Sequence, residues 1–339
     1  MKRNSIYIFC AITLLLTTGC KESVSEPKLP SGRRDYTWTI DTVKFPPNEI
    51  AEFGRISGSS PNDIWVTCHN TSDLRYDIWH YDGKSWKPYT LPKIGDAFGV
   101  LSLSPNNVWI GTIAGSIWHY DGVSWKESGP FKLEGYDNII IEGIWGRSPS
   151  DLYAYGAAWI FGKDVHKAVI LHFNGDTWKF MEFPDIRTDF INLREKYSTG
   201  EIFILGSEDI EYNLYLLKGN NLTEIGKGRY CSLNNIGDEV YFSINNIIYK
   251  YKNELNKWLD LSGTSYKFRV WGRSESDFFG MTDNYILGHY NGSDFKEMYH
   301  LPNYSPITNA LIFDKEVFFL ILPYAARENY ILRGKLTEN

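Results

Sequence analysis

The sequence predicts an all-β protein folded as a seven-bladed β-propeller with four-stranded blades. The segment Ile78–Trp86 recurs almost unchanged at Ile117–Trp125, 39 positions later. Each copy has an apolar, β-branched run, an Asp-Gly pair and a Trp that opens a second run, which is the pattern of a β-hairpin. A hairpin that repeats at a period near 40 residues is typical of propellers and similar arrays. Aromatic residues make up 16% of the chain, which suits stacked sheets with large buried side chains.

The Asp-Gly pair predicts a two-residue turn, because both residues tolerate a positive φ. Related hairpins follow at His172–Trp178 and His289–Phe295. Degenerate forms occur around Lys218–Asn220 and Lys252–Glu254.

A second repeated element lies upstream of each hairpin and consists of a polar turn followed by a strand. The clearest copies read Ser-Pro-Asn-Asp-Ile-Trp at Ser60–Trp65 and Ser-Pro-Asn-Asn-Val-Trp at Ser104–Trp109. Proline fixes φ and the Asn or Asp side chain binds nearby N–H groups, so this is a turn sequence. Its last polar residue occurs seven times, at Asp63, Asn107, Asp151, Glu201, Glu239, Asp277 and Glu316. Seven blades follow, with six or eight as alternatives if a degenerate unit is misread.

Each unit holds four strand-like runs. In the first unit these are an inner strand at Ala51–Ser57, then Ile64–Cys68, Asp77–Tyr81 and an outer strand at Ser85–Thr90. The seventh unit ends near Gly334, which leaves too little sequence for its outer strand. The segment Asp35–Ile40 resembles the outer strands of other units, so we expect it to complete the last blade and close the ring.

We interpret the N-terminal segment as a targeting signal rather than as part of the folded domain. Lys2 and Arg3 precede an apolar run at Ile6–Leu16 that is too short to span a bilayer and is typical of a signal peptide. We predict a signal peptide at residues 1–19, a flexible polar tether at 20–34 and the propeller domain at 35–339.

The sequence Leu-Thr-Thr-Gly-Cys at Leu16–Cys20 resembles the lipobox of bacterial lipoproteins, in which the cysteine carries the lipid. Thr17 departs from the usual leucine at its position, and an ordinary secretory signal is the alternative. Lys21 and Glu22 are similar to the surface-export signals of some Bacteroidota lipoproteins. The resemblance implies a protein anchored to the bacterial outer membrane by lipid on Cys20, on its periplasmic or surface face.

The two repeated elements together resemble β-propeller repeats of secreted and lipid-anchored bacterial proteins. They are also loosely similar to tectonin-type repeats, some of which bind carbohydrate. The resemblance covers about residues 36–336 and implies the propeller fold. It does not specify a function, because propellers include enzymes, lectins and scaffolds.

The net charge of the chain bears on its possible partners, and the positions of its cysteines bear on disulfide formation. The net charge is −6, and it becomes two units more negative when Lys2 and Arg3 leave with the signal. No basic stripe remains, which argues against a nucleic-acid partner. Cys68 and Cys231 fall in blades one and five, which are not neighbours, so we expect free buried thiols rather than a disulfide.

The repeated polar residues are assigned to structure rather than to chemistry. Four histidines occupy the same hairpin position in different blades, far apart around the ring, so they cannot share a metal ion: His80, His119, His172 and His289. The turn carboxylates repeat in the same way. No nucleophile elbow, phosphate-binding loop or His-Glu-x-x-His motif is present, and we expect neither a metal nor a cofactor.

Binding residues are expected where the repeats differ. The tight repeated turns lie on one face of a propeller, and the second-to-third loops and blade connections lie on the other, where the irregular insertions occur. Aromatic and cationic side chains in these loops are the candidate binding residues: Arg75, Tyr76, Trp159, Phe161, Lys163, Arg187, Tyr212, Arg229, Tyr324 and Arg327.

The sequence therefore predicts a monomeric, non-catalytic binding or scaffolding propeller of the cell envelope whose partner is a protein. Carbohydrate binding is the alternative, and a glycan-active hydrolase or lyase is a further one. A lectin requires similar pockets repeated between blades. An enzyme requires one deep pocket with facing carboxylates, and a scaffold requires a broad exposed apolar patch.

Overall fold

The computed structural model describes residues 32–45, 51–70, 77–89, 96–302, 305–322 and 328–338. These residues form seven four-stranded antiparallel sheets, in agreement with the predicted seven-bladed propeller. No α-helix occurs among them. A search of the same residues finds no helix with the length and apolar character needed to cross a membrane.

The first three blades follow one another in the chain, each running from an inner to an outer strand. Blade one contains β2 (Ala51–Ser60), β3 (Asp63–Asn70), β4 (Ile78–Tyr81) and β5 (Trp86–Tyr89). Blade two contains β6 (Ala97–Ser104), β7 (Asn107–Thr112), β8 (Ile117–Tyr120) and β9 (Trp125–Ser128). Blade three contains β10 (Asn138–Ser148), β11 (Asp151–Ile160), β12 (Val165–Phe173) and β13 (Trp178–Phe180).

Blades four to six repeat this order. Blade four contains β14 (Asp189–Lys196), β15 (Glu201–Glu208), β16 (Glu211–Lys218) and β17 (Asn221–Gly228). Blade five contains β18 (Cys231–Ile236), β19 (Glu239–Ile244), β20 (Ile247–Lys252) and β21 (Glu254–Asp260). Blade six contains β22 (Tyr266–Ser274), β23 (Asp277–Thr282), β24 (Ile286–Tyr290) and β25 (Phe295–His300).

The seventh blade joins the two ends of the described chain, as predicted. It contains β26 (Ile307–Ile312), β27 (Glu316–Ile321) and β28 (Glu328–Leu336), and its outer strand is β1 (Tyr36–Lys44). The pairing of β1 with β28 runs from Tyr36 opposite Leu336 to Lys44 opposite Glu328. Just before β1, Arg34 donates a hydrogen bond to the carbonyl of His289 in blade six at 2.8 Å.

The hydrophobic core is divided among the interfaces between blades. Seven clusters of buried side chains are present in the described residues, and each is made by two neighbouring blades. Phe203 of blade four, for example, packs edge-on against Phe242 of blade five, with ring centroids 5.0 Å apart. Cys68 and Cys231 are buried in two different clusters and form no disulfide, as expected. This arrangement buries one face of each sheet against the next sheet around the ring.

The hairpin turn differs from the prediction of two residues with positive φ. Strands β4 and β5 are joined by a four-residue turn, Asp82–Ser85, in which Gly83 alone has a positive φ, of 85°. The carboxylate of Asp82 accepts the N–H groups of Lys84 at 3.0 Å and Ser85 at 2.9 Å. The side chain thus closes the turn, so Asp82 itself needs no left-handed backbone. The equivalent residues Asp121, Asn174 and Asn291 make the same pair of bonds.

Candidate binding site

The repeated histidines contact the last polar residue of the turn in the same blade. His80 Nε2 lies 2.8 Å from Asp63 Oδ1 in blade one. The same contact joins His172 to Asp151 at 2.8 Å and His289 to Asp277 at 2.7 Å. In blade two His119 meets Asn107 at 3.2 Å. We call each of these contacts a blade joint.

Two other blades build the joint from different residues. In blade seven, Arg333 pairs with Phe318 on the neighbouring strand, as His80 pairs with Trp65 in blade one. Arg333 donates a hydrogen bond to Glu316 at 2.6 Å. In blade four, Lys218 pairs with Glu201 at 2.8 Å. In each of these blades a side chain on the third strand therefore binds the last polar residue of the turn, so the two groups are already engaged with each other.

A cavity of about 370 Å³ lies at the centre of the ring, between the inner strands of blades four to seven and that of blade one. Its volume falls within the usual range for ligand sites, about 300–1,000 Å³. Four arginines line it, and Asp209 is the one carboxylate among its described lining residues. The arginines are Arg55, Arg194, Arg229 and Arg269.

The cavity lies to one side of the ring because the inner strands of blades two and three approach each other closely. A Cβ atom built on Gly99 of β6 would lie 2.7 Å from the Cα atom of Gly143 in β10. Two glycines therefore allow backbone-to-backbone contact there. In the other blades, arginine and asparagine at similar places on the inner strand fill the centre with polar side chains, among them Asn192 and Asn309.

Three of the arginines, Arg55, Arg194 and Arg269, come from inner strands and form what we call the central arginine cluster. Arg55 donates to the carbonyl of Ile191 at 2.7 Å. Arg194 donates to Asn192 Oδ1 at 2.6 Å and to the carbonyl of Leu193 at 2.7 Å. The guanidinium of Arg55 is thus held by a carbonyl of blade four, and that of Arg194 by neutral oxygen atoms of its own strand.

Arg269 completes the cluster from blade six. Its guanidinium donates to the carbonyls of Ile307 and Thr308 in blade seven, at 3.1 and 2.9 Å. Arg194 also bonds with the hydroxyl of Tyr155. The partners described for Arg55 and Arg194 are thus neutral oxygen atoms, which fix the positions of these guanidinium groups without neutralising their charge.

Burial and mutual repulsion act on the cluster. Burial lowers the pKa of Arg194 and that of Arg269, and the nearby charge of Arg55 lowers both further. Burial raises the pKa of Glu142 on β10, although Arg55 acts in the opposite direction. Arginine remains protonated in proteins because its unperturbed pKa lies so high. The centre of this acidic chain is therefore a concentrated positive region.

A second cavity, of about 440 Å³, continues from the first along the centre of the ring. Both cavities are lined by Arg55, Arg194, Asn234, Trp271 and Asn309. Two members of the central arginine cluster, Arg55 and Arg194, thus border both cavities, whereas Arg269 lines the first.

The first cavity opens on the face that carries the second-to-third turns and the blade connections, which we call the loop face. Its mouth is formed by the turn Asp209–Ile210 and the connection Arg229–Tyr230. Six large apolar side chains are exposed among the described residues, and three of them lie in second-to-third turns or blade connections of blades three to five. These are Phe161, Ile210 and Tyr230, which are 69%, 70% and 52% exposed, and Val165, at the start of β12, is 40% exposed.

The predicted binding residues fall into three groups. Tyr212 and Arg229 line the first cavity. Phe161 and Lys163 are exposed on the loop face of blade three, and Trp159 contacts the His166 ring at 4.5 Å. Arg187 pairs with Asp164 at 2.5 Å, so its charge is already partnered. The remaining predicted residues lie outside the described residues: Cys20, Arg75, Tyr76, Tyr324 and Arg327.

The central arginine cluster was not identified from the sequence. One signal was available for Arg55, which places a cation inside the predicted inner strand Ala51–Ser57. Within the described ranges, no group of three or more His, Cys, Asp or Glu side chains has the arrangement needed to hold a metal ion.

No family model and no curated protein matches the chain. Among solved structures, it is similar to YCF48 bound to D1 peptide, with 14% identity and a TM-score of 0.62. That match covers 88% of this chain and 97% of the other. The extracellular domain of BT4673 from B. thetaiotaomicron has 11% identity and a TM-score of 0.56, over 86% of this chain and 39% of the other.

An acylaminoacyl peptidase in complex with a chloromethyl ketone is also similar, with 14% identity and a TM-score of 0.55. The match covers 85% of this chain and 52% of the peptidase. At these identities the three similarities establish a shared propeller fold and carry no activity with them.

Proposed function

We propose that this chain is a non-catalytic binding propeller of the bacterial cell envelope, which recognises a peptide segment of a protein through its loop face. One observation carries the proposal. The loops that vary between the repeats and the arginines of the inner strands line the same cavity, with Tyr212 and Arg229 at its wall and Ile210 at its mouth. Aromatic and arginine side chains around a cavity, with apolar residues at its mouth, are characteristic of protein recognition.

The neighbouring structures add support of a general kind. YCF48 carries a D1 peptide on the same fold, and the BT4673 propeller belongs to an extracellular domain. Peptide binding outside the cytoplasm is therefore compatible with this architecture. The proposed localisation in the cell envelope is supported by the segment that resembles a signal peptide and by Cys20 in the sequence.

An enzymatic role is less well supported by the cavity. Glycan hydrolysis needs two carboxylates that face each other across the substrate. Among the described lining residues of the first cavity, Asp209 is the one carboxylate, whereas four are arginines. The repeated carboxylates at the turns are bound in blade joints instead, as Asp63 is to His80.

The proposal is tested with the soluble form that begins at Glu22, applied in parallel to a peptide array and a glycan array. We expect binding to peptides, weakened by Tyr212→Ala at the cavity wall and unchanged by Val123→Ala. Val123 is 90% exposed in a hairpin turn on the opposite face, so it serves as the matched control. Binding to glycans that depends on Tyr212, with no peptide bound, would replace the proposal with the lectin alternative.

A further inference from the structure

We infer that the central arginine cluster binds a carboxylate group of a peptide that enters the ring from the loop face. This inference rests on the proposed function as a peptide-binding propeller and specifies the chemistry of the ligand. The carboxylate is supplied either by an Asp or Glu side chain or by the C-terminus of the peptide.

The charge distribution is the first argument. The whole chain has a net charge of −6, yet the described lining of the first cavity holds four arginines against Asp209 alone. Such a local excess of positive charge in a low-dielectric cleft concentrates anions. Grouping like charges is unfavourable in itself, and the charge of Arg55 accordingly contributes to lowering the pKa of Arg194. A bound anion removes that repulsion.

The hydrogen bonds of the cluster give the second argument. A guanidinium has five N–H donors in a planar fork that fits a carboxylate with two parallel bonds. The bond of Arg55 to the Ile191 carbonyl uses one nitrogen, Nη2. The bonds of Arg194 within its own strand use Nη1, and Arg194 also bonds with the hydroxyl of Tyr155. Within the described residues, neither Arg55 nor Arg194 has a carboxylate at salt-bridge distance. Each therefore retains donors and a full charge for a ligand.

The setting of the cluster gives the third argument, that of preorganisation. The guanidinium groups are held by neutral oxygen atoms: that of Arg55 by a carbonyl of blade four, that of Arg194 by two oxygen atoms of its own strand, and that of Arg269 by two carbonyls of blade seven. Little side-chain entropy remains to be lost when an anion binds, and this favours affinity. The β-strand framework also fixes the distances between the three groups.

The mouth of the cavity favours a peptide over an anionic sugar or nucleic acid. Ile210 and Tyr230 stand exposed at the entrance, and Trp271 lines the interior. A carboxylate next to apolar side chains is common in peptides, whereas sulfated or phosphorylated glycans have few apolar groups to place there. Nucleic acid needs an extended basic surface, and here the cations are confined to the centre.

The inference is tested by fluorescence polarisation with peptides selected on the array described above. Each selected peptide is made with a free C-terminal carboxylate or a C-terminal amide, and with its acidic residues intact or changed to Asn and Gln. We expect tight binding by the forms that retain the critical carboxylate and a loss of roughly tenfold to a hundredfold without it. The pair of forms that differ most in affinity identifies the source of the carboxylate.

The protein side is tested with Arg194→Gln and Arg55→Gln, which we expect to weaken binding by a similar factor, and with Arg194→Lys, which keeps the charge and should lose less. Lys126→Gln makes the same charge change in an exposed hairpin on the opposite face and should bind as the wild type does. Binding by the wild type should also weaken as sodium chloride rises. This last measurement does not depend on how well any variant folds.

The outcomes separate the two proposals. If peptides bind but neutral and acidic forms bind equally, with no effect of salt or of the Arg variants, the carboxylate site is excluded and the peptide-binding function remains. If no peptide binds, both proposals fall. Selective binding of sulfated or phosphorylated glycans, lost in Arg194→Gln, would assign the cluster to an anionic sugar and would overturn the inference.

Discussion

His80 and Asp63 tie the third strand of blade one to the start of its second strand, with His80 Nε2 2.8 Å from Asp63 Oδ1. Asp63 also accepts the indole N–H of Trp65 at 3.0 Å. Two serine hydroxyls complete its bonds, that of Ser59 at 2.6 Å and that of Ser102, in blade two, at 3.0 Å. A single buried carboxylate therefore joins two blades.

Replacing Asp63 should be strongly destabilising because several donors depend on it. Burial raises the pKa of Asp63, but the bonds from His80, Ser59, Ser102 and Trp65 outweigh burial, so its pKa is lowered overall. Asp63→Ala leaves these buried donors without an acceptor, and we expect a loss of roughly 3–5 kcal/mol of unfolding free energy. Urea denaturation at neutral pH measures the change.

Asp151→Ala is the matched control for this prediction. Asp151 occupies the same joint in blade three, but its side chain is 38% exposed and its described bond is to His172. We expect a loss of less than about 1 kcal/mol. Equal losses for the two variants would contradict the view that burial and the link to Ser102 make the blade-one joint the stronger one.

The propeller fold was predictable because its determinants are local in sequence. The turn at Asp63 and the hairpin at Asp82 are each determined by a few consecutive residues, and the number of copies of these elements gives the number of blades. The length of the hairpin turn was misjudged because the Asp82 side chain, rather than a left-handed backbone, closes it.

The central arginine cluster was not predictable in the same way. Arg55, Arg194 and Arg269 are separated by more than seventy residues and meet only because inner strands converge at the axis of a closed ring. Tyr212 and Arg229 were proposed from the sequence because their segments break the repeat, and both line the first cavity. Arg187 was proposed for the same reason, yet it forms an ion pair with Asp164. The spacing of the two residues in the sequence does not reveal this contact.

Removing the N-terminal strand should open the ring. Val43 and Phe45 are buried against blades one and seven, and the hydroxyl of Tyr36 accepts a bond from Arg273 at 3.0 Å. Deleting Asp35–Phe45 exposes β28 and the core beneath it, so we expect a loss on the order of 5 kcal/mol or more. A thermal melt measures this, with deletion of residues 22–31 as the control that should leave the melting temperature unchanged.

Cys20 should carry the lipid that anchors the protein. Cys20→Ala removes the thiol to be acylated, so we expect no incorporation of labelled palmitate and release of the protein from the membrane fraction. Cys10→Ala changes a cysteine inside the predicted signal segment and should remain lipidated. Labelled, membrane-bound Cys20→Ala protein would show that the N-terminal segment is not a lipoprotein signal.

Asp77 introduces a pH dependence of stability near neutrality. Its side chain precedes β4 and is buried, and burial together with the nearby Asp96 raises its pKa to about 7. In the unfolded chain the pKa returns to about 4. Between these values the folded state holds a proton that the unfolded state has lost, so stability falls as the pH rises from about 4 to 7 and then becomes level.

Asp77→Asn should remove this dependence, because a neutral amide need not lose a proton. We expect the variant to match the wild type near pH 4 and to exceed its unfolding free energy by roughly 2–4 kcal/mol at pH 8. Urea denaturation across this pH range provides the measurement. Asp176→Asn, an exposed carboxylate in the blade-three hairpin, should keep the wild-type pH profile. A stability difference for Asp77→Asn that is the same at pH 4 and pH 8 would mean that the Asp77 carboxylate is ionised throughout and that the variant acts through packing alone.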